Sequence, residues 1–387
     1  MIPSKIPEAT TLIRDKRSDR SGETKPHYWG AVVSVIYLIV LVSVGAKAAD
    51  AAPVAYVTNS GSANVSVVDT ATKAVLTTIS VGLTPEQIAI TPNGARVYVT
   101  NSGSNTVSVI DTATNAVVGS PISVGSNPVG IAITPNGARA YVTNQGSNTV
   151  SVIDTATNAV IGSPISVGSS PAGIAITPNG AHMYVANFGS ITVSVIDTAT
   201  NAVVGSPISV GSNPVGIAIT PNGARVYVAN FVDNTVSVID TATNAVVGSP
   251  ISVGSNPVGI AITPNGARVY VANFVDNTVS VIDTATNAVV GSPISVGQRP
   301  DFLAASPDGA SVYVPNQGSN TVSVIATATN SLVGSPISVG TAPTGIAFSP
   351  AGIPIIPTLS DSGLLLLFVA VATTLTLRIA RRSIVSQ

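Results

Sequence analysis

The sequence predicts an all-β protein, a seven-bladed β-propeller of four-stranded antiparallel blades, flanked by N- and C-terminal hydrophobic helices. Three observations predict it. Tyr56, Tyr98, Tyr141, Tyr184, Tyr227, Tyr270 and Tyr313 recur at a spacing of 42 and then 43 five times. Each period holds four short β-branched runs joined by different turns, and four strands in about 43 residues is the period of a propeller blade. The body enters on a tyrosine strand (Val54–Thr58) and leaves on a run of another type, Gly345-Ile346-Ala347-Phe348. Pairing the last run with the first closes a ring and removes both free sheet edges. Seven blades fall within the usual range of about four to eight. A parallel β-helix is the rival architecture, but it needs shorter coils, and hairpin turns such as Thr134-Pro135-Asn136-Gly137 favour antiparallel pairing.

Residues 1–28 are polar and basic, Trp29 to Gly45 is apolar, and Ala46-Lys47-Ala48 is a small-x-small site. That order predicts an export signal with a long basic n-region over 1–48. An uncleaved anchor is the alternative, because the apolar run is at the lower edge of spanning length. In either case the body is expected outside the cytoplasm.

The body spans 53–352. In the repeat of Tyr98, Arg96–Thr100 is a β-branched and aromatic strand. Val107–Ile110 is a second strand, followed by Asp111-Thr112-Ala113-Thr114-Asn115, a turn whose Asp can accept local backbone N–H groups. Val117–Val124 is a third strand, interrupted by Gly119-Ser120-Pro121 and therefore expected at the outer edge, where no ladder N–H is missed. Gly130–Thr134 is the fourth, and its small residues suit the crowded inner position. Pro135 presets φ and Asn136-Gly137 tolerates positive φ in the turn that leads to the next tyrosine. The repeats of Tyr227 and Tyr270 are identical over 28 residues, Tyr227–Gly254 and Tyr270–Gly297.

After the body, Ile356-Pro357-Thr358-Leu359-Ser360-Asp361-Ser362-Gly363 leads into the uncharged apolar run Leu364–Leu377, then Arg378, Arg381 and Arg382. A short apolar helix followed by basic residues is expected to stop in a membrane with its tail on the cytoplasmic side. The segment 353–387 resembles the IPTL-type C-terminal sorting signal of Gram-negative bacteria, carried here by Ile356, Pro357, Thr358, Leu359, Ser360 and Gly363. Ser362 stands where that family usually has tryptophan. The resemblance implies recognition by export and sorting machinery and a location at the cell surface or outer envelope. A plain tail anchor gives the same orientation.

The tetrads Tyr-Val-Thr-Asn at 56–59, 98–101 and 141–144, Tyr-Val-Ala-Asn at 184–187, 227–230 and 270–273, and Tyr-Val-Pro-Asn at 313–316 resemble the YVTN-type β-propeller repeat. The resemblance covers roughly 53–352. It implies the fold, and surface-layer or periplasmic proteins of binding or unassigned role, since propellers host many unrelated activities.

Composition narrows the chemistry. The chain is 45% hydrophobic and 9% charged, which excludes disorder, and it has no cysteine, which excludes disulfides, thiol nucleophiles and thiolate metal sites. Between Ala49 and Pro357 there are six basic and twelve acidic residues, a formal charge of −6, so no nucleic-acid partner is expected. His27 lies in the export segment, and His182 occupies the slot of Arg96, Arg139, Arg225 and Arg268 at a solvated strand end. That leaves no basis for a His-based metal site or a Ser-His-Asp triad. Asp69, Asp111, Asp154, Asp197, Asp240 and Asp283 recur at one repeat position and read as turn caps. No metal and no cofactor are expected.

The repeats diverge in two of the four loop classes, which share one face of a propeller, and loops on a rigid scaffold carry function. One cluster holds Phe188, Phe231, Val232, Asp233, Phe274, Val275 and Asp276, an apolar patch suited to a protein or glycan partner at the cell envelope; the phenylalanines could instead pack between blades. The other holds Glu86, Gln87, Arg299 and Asp301, expected near the channel mouth and paired with one another. The resulting expectation is an exported, non-catalytic binding or envelope module, membrane-associated through its terminal helix. The alternative is a lactonase-like hydrolase, or a small-ligand-binding propeller, that uses the channel-mouth cluster.

Overall fold

A computed structural model describes residues 53–350, and these form seven antiparallel sheets. Blades are numbered 1 to 7 by their tyrosines, from Tyr56 to Tyr313. In blade 2 the inner strand is Pro85–Ile90, the tyrosine strand Arg96–Asn101 and the third strand Thr106–Asp111. The outer strand is split into Ala116–Val117 and Ile122–Ser123. The break follows from sequence, because Gly119 sits at φ 69° and Pro121 has no N–H to donate. Blade 1 lacks the Gly-Ser-Pro segment and keeps one continuous outer strand, Ala74–Ser80.

The ring closes as the ends of the body predict. Pro343–Phe348 pairs antiparallel with Val54–Asn59, in the register Ala55↔Phe348, Tyr56↔Ala347 and Val57↔Ile346. Ser349 locks the seam, donating its N–H to Val54 O (2.8 Å) and accepting Val54 N–H on Oγ (2.9 Å).

The core lies between blades. Tyr227, Ala229, Val236 and Val238 of blade 5 pack against Ile260, Val269, Val271 and Ile282 of blade 6, and the same pattern repeats around the ring. Each boundary also carries a polar tie: Tyr98 Oη donates to Asn158 Oδ1 and Tyr227 Oη to Asn287 Oδ1, both at 2.6 Å and both reaching the next blade's outer turn. Burial pushes the Tyr56 and Tyr98 phenols up to about 12. The asparagine that ends each tetrad is buried and caps its own hairpin: Asn230 Nδ2 donates to Ser237 Oγ at 2.9 Å.

One face of the wheel is uniform. There Gly137 takes φ 73° in the Thr-Pro-Asn-Gly turn, and Asp240 Oδ1 accepts the N–H groups of Ala242 and Thr243 at 3.0 Å. The recurrent aspartates are thus turn caps. Arg96 pairs with Asp111, Arg225 with Asp240 and Arg268 with Asp283, each across two adjacent strands of one blade.

The export segment over 1–48 and the sorting motif and membrane helix over 353–387 lie outside the described residues, so the two flanking helices are expectations only. No helix among the described residues is long and apolar enough to cross a membrane.

Candidate functional site

The opposite face is built by two layers of divergent residues at the inner end of the blades. The lower layer comes from a bulge in the inner strand. In blade 2, Pro85 faces Asn101 and Ile88 faces Val99, so Glu86 and Gln87 together oppose Thr100. Two residues against one re-aim the extra side chain, a device common beside active sites. The first bulge residue is Thr344 in blade 1, Glu86 in blade 2, Val129, Ala172, Val215 and Val258 in blades 3 to 6, and Asp301 in blade 7. It is therefore polar only on blades 7, 1 and 2, which are neighbours.

The second bulge residue is glycine in five blades, and the reason is close approach. A Cβ on Gly130, Gly173, Gly216, Gly259 or Gly345 would stand 2.0–2.6 Å from the next blade's carbonyl oxygen. Gln87 and Phe302 are the exceptions. At Phe302 the inner strand of blade 7 shrinks to Ala304–Ala305. Asp301 is still held in place, by its N–H to Pro315 O (2.9 Å), and Phe302 N–H bonds Thr344 O (3.1 Å).

The backbone of Glu86 is fixed from blade 1. Thr58 Oγ1 donates to Glu86 O at 2.6 Å, and Thr344 Oγ1 lies 2.9 Å from the same oxygen. The Glu86 carboxylate turns to the rim and accepts a hydrogen bond from Ser102 Oγ on Oε1 at 3.1 Å. Burial raises its pKa, partly offset by that hydroxyl. Asp301 is only 7% exposed. Burial, and then the charge of Glu86, hold its carboxyl well above the ordinary range, against a weaker downward pull from the Phe302 N–H. Both carboxyls are thus biased towards the protonated form, Asp301 by its burial first and by the charge of Glu86 second.

The upper layer is the residue after each tetrad: Ser60, Ser102, Gln145, Phe188, Phe231, Phe274 and Gln317. It is aromatic on blades 4 to 6 only. The three phenylalanines are half-buried, so they are neither free surface nor full core. Phe188 and Phe231 meet edge to face across the blade boundary at 6.2 Å. Val232 and Val275 are 55% and 57% exposed. Asp233 and Asp276 are exposed and tie loops, accepting Ser212 N–H and Ser255 N–H at 2.7 Å. Gln87 N–H donates to Thr100 Oγ1 at 3.0 Å.

Arg299 departs from the expected ion pairing. Among the described residues it makes no salt bridge with Glu86 or Asp301. Its guanidinium lies 5.9 Å above the Phe274 ring, an attraction between cation and ring face. Pro300 separates it from Asp301, and its backbone sits at φ 53°.

Thr344, Thr58 and Ser102 were not singled out in the sequence. Aligning the seven bulge positions finds Thr344, because it breaks a Val/Ala slot next to the two carboxylates. A cavity of about 640 Å³ opens elsewhere, between blades 3 and 4 on the uniform face, lined by Arg139, Tyr141 and Thr198. Smaller clefts recur at Arg96 and Arg225. Their recurrence marks them as a product of blade geometry, whereas the two carboxyl residues that interrupt the repeat, Glu86 and Asp301, lie on the other face.

Residues 49–162 match a protein-family model described as lactonase, seven-bladed beta-propeller. No curated protein matches the chain. Among solved structures, a hydrazine synthase of Kuenenia stuttgartiensis is 27% identical with a TM-score of 0.65, over 73% of this chain and 98% of that one. A putative 6-phosphogluconolactonase of Bacteroides fragilis is 16% identical with a TM-score of 0.65, over 77% and 98%. A second, from Bacteroides uniformis, is 14% identical with a TM-score of 0.66, over 77% and 99%. These two are alike in fold alone. The lactonase match, which includes Glu86 and Gln87, overturns the expectation of a non-catalytic binding or envelope module. The hydrolase, carried in the sequence reading as the alternative, is the reading these findings favour.

Proposed function

We propose that this chain is a lactonase-like hydrolase that opens a small ring ester at the mouth formed by blades 7, 1 and 2. The observation that carries the reading is the placement of two carboxyl residues, Glu86 and Asp301, at the same bulge position of blades 2 and 7, either side of Thr344 in blade 1, in a chain whose residues 49–162 match a lactonase model. Such a pair divides the work of an acid and a base. Ionised Glu86 takes a proton from water as the water oxygen bonds to the ester carbon. Protonated Asp301 donates a hydrogen bond to the carbonyl oxygen as negative charge gathers there. The ring C–O bond then breaks, and the leaving oxygen takes the proton from Glu86. The product is a hydroxy acid. Arg299 is the only basic side chain among the described residues of this face, and it stands at the rim to attract the carboxylate that forms.

The YVTN-type resemblance and the two flanking segments support an extracytoplasmic site of action, with the sorting motif engaging the envelope machinery. Fractionation and the mass of the mature form test that location.

Turnover of a lactone panel tests the activity. The reading expects hydrolysis with a bell-shaped pH profile and a loss of at least about tenfold in Arg299→Ala. No turnover of any lactone by the folded protein overturns it.

A further inference from the structure

The mouth is divided. Blades 7, 1 and 2 contribute Asp301, Thr344 and Glu86, while blades 4 to 6 contribute Phe188, Phe231 and Phe274 above Ala172, Val215 and Val258. We infer, resting on the lactonase reading, that the substrate is an uncharged lactone bearing an apolar substituent. The ring sits at the carboxyl pair, and the substituent lies along the phenylalanine arc.

Continuity supports this. The Phe188 backbone lies between the starts of two successive inner strands: its N–H bonds Ser170 O at 3.0 Å, and its carbonyl accepts Asn213 Nδ2 at 2.9 Å. Phe231 repeats the pattern, with Asn256 N–H₂ on its carbonyl at 3.1 Å. The aromatic arc is thus anchored at the channel mouth rather than at the outer rim. Arg299, laid on Phe274, joins the arc to Asp301 two residues on. Ile191 at 53% and the two exposed valines extend the apolar surface outward.

Charge argues against a phosphorylated substrate. With Asp301 held protonated, the face still carries Glu86, Asp233 and Asp276 against Arg299 alone. A dianionic phosphate would meet repulsion from the acidic groups and a single cation, whereas phosphate sites use paired cations or a backbone cradle. A neutral ring with an alkyl or aryl group fits both halves of the mouth.

The test compares γ-butyrolactone, γ-octalactone, γ-dodecalactone and 6-phosphogluconolactone on the native chain and on Phe188→Ser/Phe231→Ser. On the native chain kcat/KM is expected to rise about two- to fourfold per added methylene until the arc is filled. The double variant is expected to flatten that series through KM, and Phe231→Leu keeps the preference. If the serine pair fails to fold, the native series and the leucine variant still decide. A flat series, or a preference for the phosphorylated lactone, overturns the inference and leaves the hydrolase standing. No hydrolysis of any of the four by the folded protein overturns both.

Discussion

The two faces of this wheel are made by the same scaffold and have opposite characters. On one, the Thr-Pro-Asn-Gly and Asp-Thr-Ala-Thr-Asn turns recur almost without change, and their polar groups close on themselves: Asp caps its turn, and Arg pairs with Asp within the blade. On the other, the bulge and the residue after each tetrad vary from blade to blade, and two carboxyls are left desolvated together. Repetition tolerates stabilising contacts that can be copied seven times. An active constellation cannot be copied, since it needs an acid, a base and an apolar wall at different points of one ring.

Breaking the divergent face at its base gives the largest expected effect. Glu86→Gln removes the proton acceptor and should lower kcat/KM for a lactone by about 10³-fold, roughly 4 kcal/mol. The thermal midpoint should stay near the native value, because the Glu86 backbone, held by Thr58 and Thr344, does the structural work. A variant that keeps full activity assigns the chemistry elsewhere.

The bulge itself is the next place to break the comparison. Gly216→Ala puts a Cβ 2.0 Å from Val258 O, a backbone atom that cannot step aside. A loss of roughly 3 kcal/mol is expected in denaturant unfolding. Gln87 occupies the corresponding slot in blade 2, and Gln87→Gly should be close to neutral. Equal effects at the two positions would mean that close approach to the next blade's carbonyl is not what selects glycine at Gly216.

What the sequence made legible follows the same division. The tyrosine period, the four-strand blade and the pairing of 345–348 with 54–58 were readable because each depends on local pattern and on avoiding a free edge. Glu86, Gln87, Arg299 and Asp301 stood out because they interrupt a repeat. Their relation did not: Arg299 looked like the partner of the carboxylates, yet it stacks on Phe274. Side-chain direction at a bulge depends on how many residues oppose one another across the strand pair, which a linear repeat does not display. Thr344 and Ser102 were hidden for a related reason, as ordinary polar residues whose role appears only when blades 7, 1 and 2 are read around the ring. The phenylalanines could be placed on a face from sequence, but their half-burial needed the neighbouring inner strands.

Asp301→Asn sharpens the comparison through pH. Both carboxyls are raised in the folded chain, so the native state holds protons that the unfolded chain has released. Stability is then fully present below the ordinary carboxylate range and is lost as pH rises from that range through the raised folded values. Removing the more buried acid should cancel that fall and stabilise the protein at pH 7 by roughly 1–3 kcal/mol, the scale of relieving a desolvated polar group. Asparagine still donates a hydrogen bond, so part of the activity should survive while the alkaline limb of the rate profile disappears. Loss of stability at pH 7 would mean that Asp301 is held by favourable contacts rather than by confinement.

The smallest effect belongs on the uniform face. Arg96 and Asp111 are paired, with 35% and 21% of their side chains exposed, and water screens such a pair. Burial pushes the Asp111 carboxyl up, but the Thr114 N–H and hydroxyl, and then Arg96, together outweigh it and hold the group below its ordinary value. The carboxylate keeps its turn contacts when the guanidinium is removed. Arg96→Ala should therefore lose only about 0.5 kcal/mol, near 1 °C in midpoint, with the difference shrinking in molar salt. Lactone turnover should be unchanged. If Arg96→Ala instead lowers kcat/KM, the cleft beside it is part of the site and the division between the two faces fails.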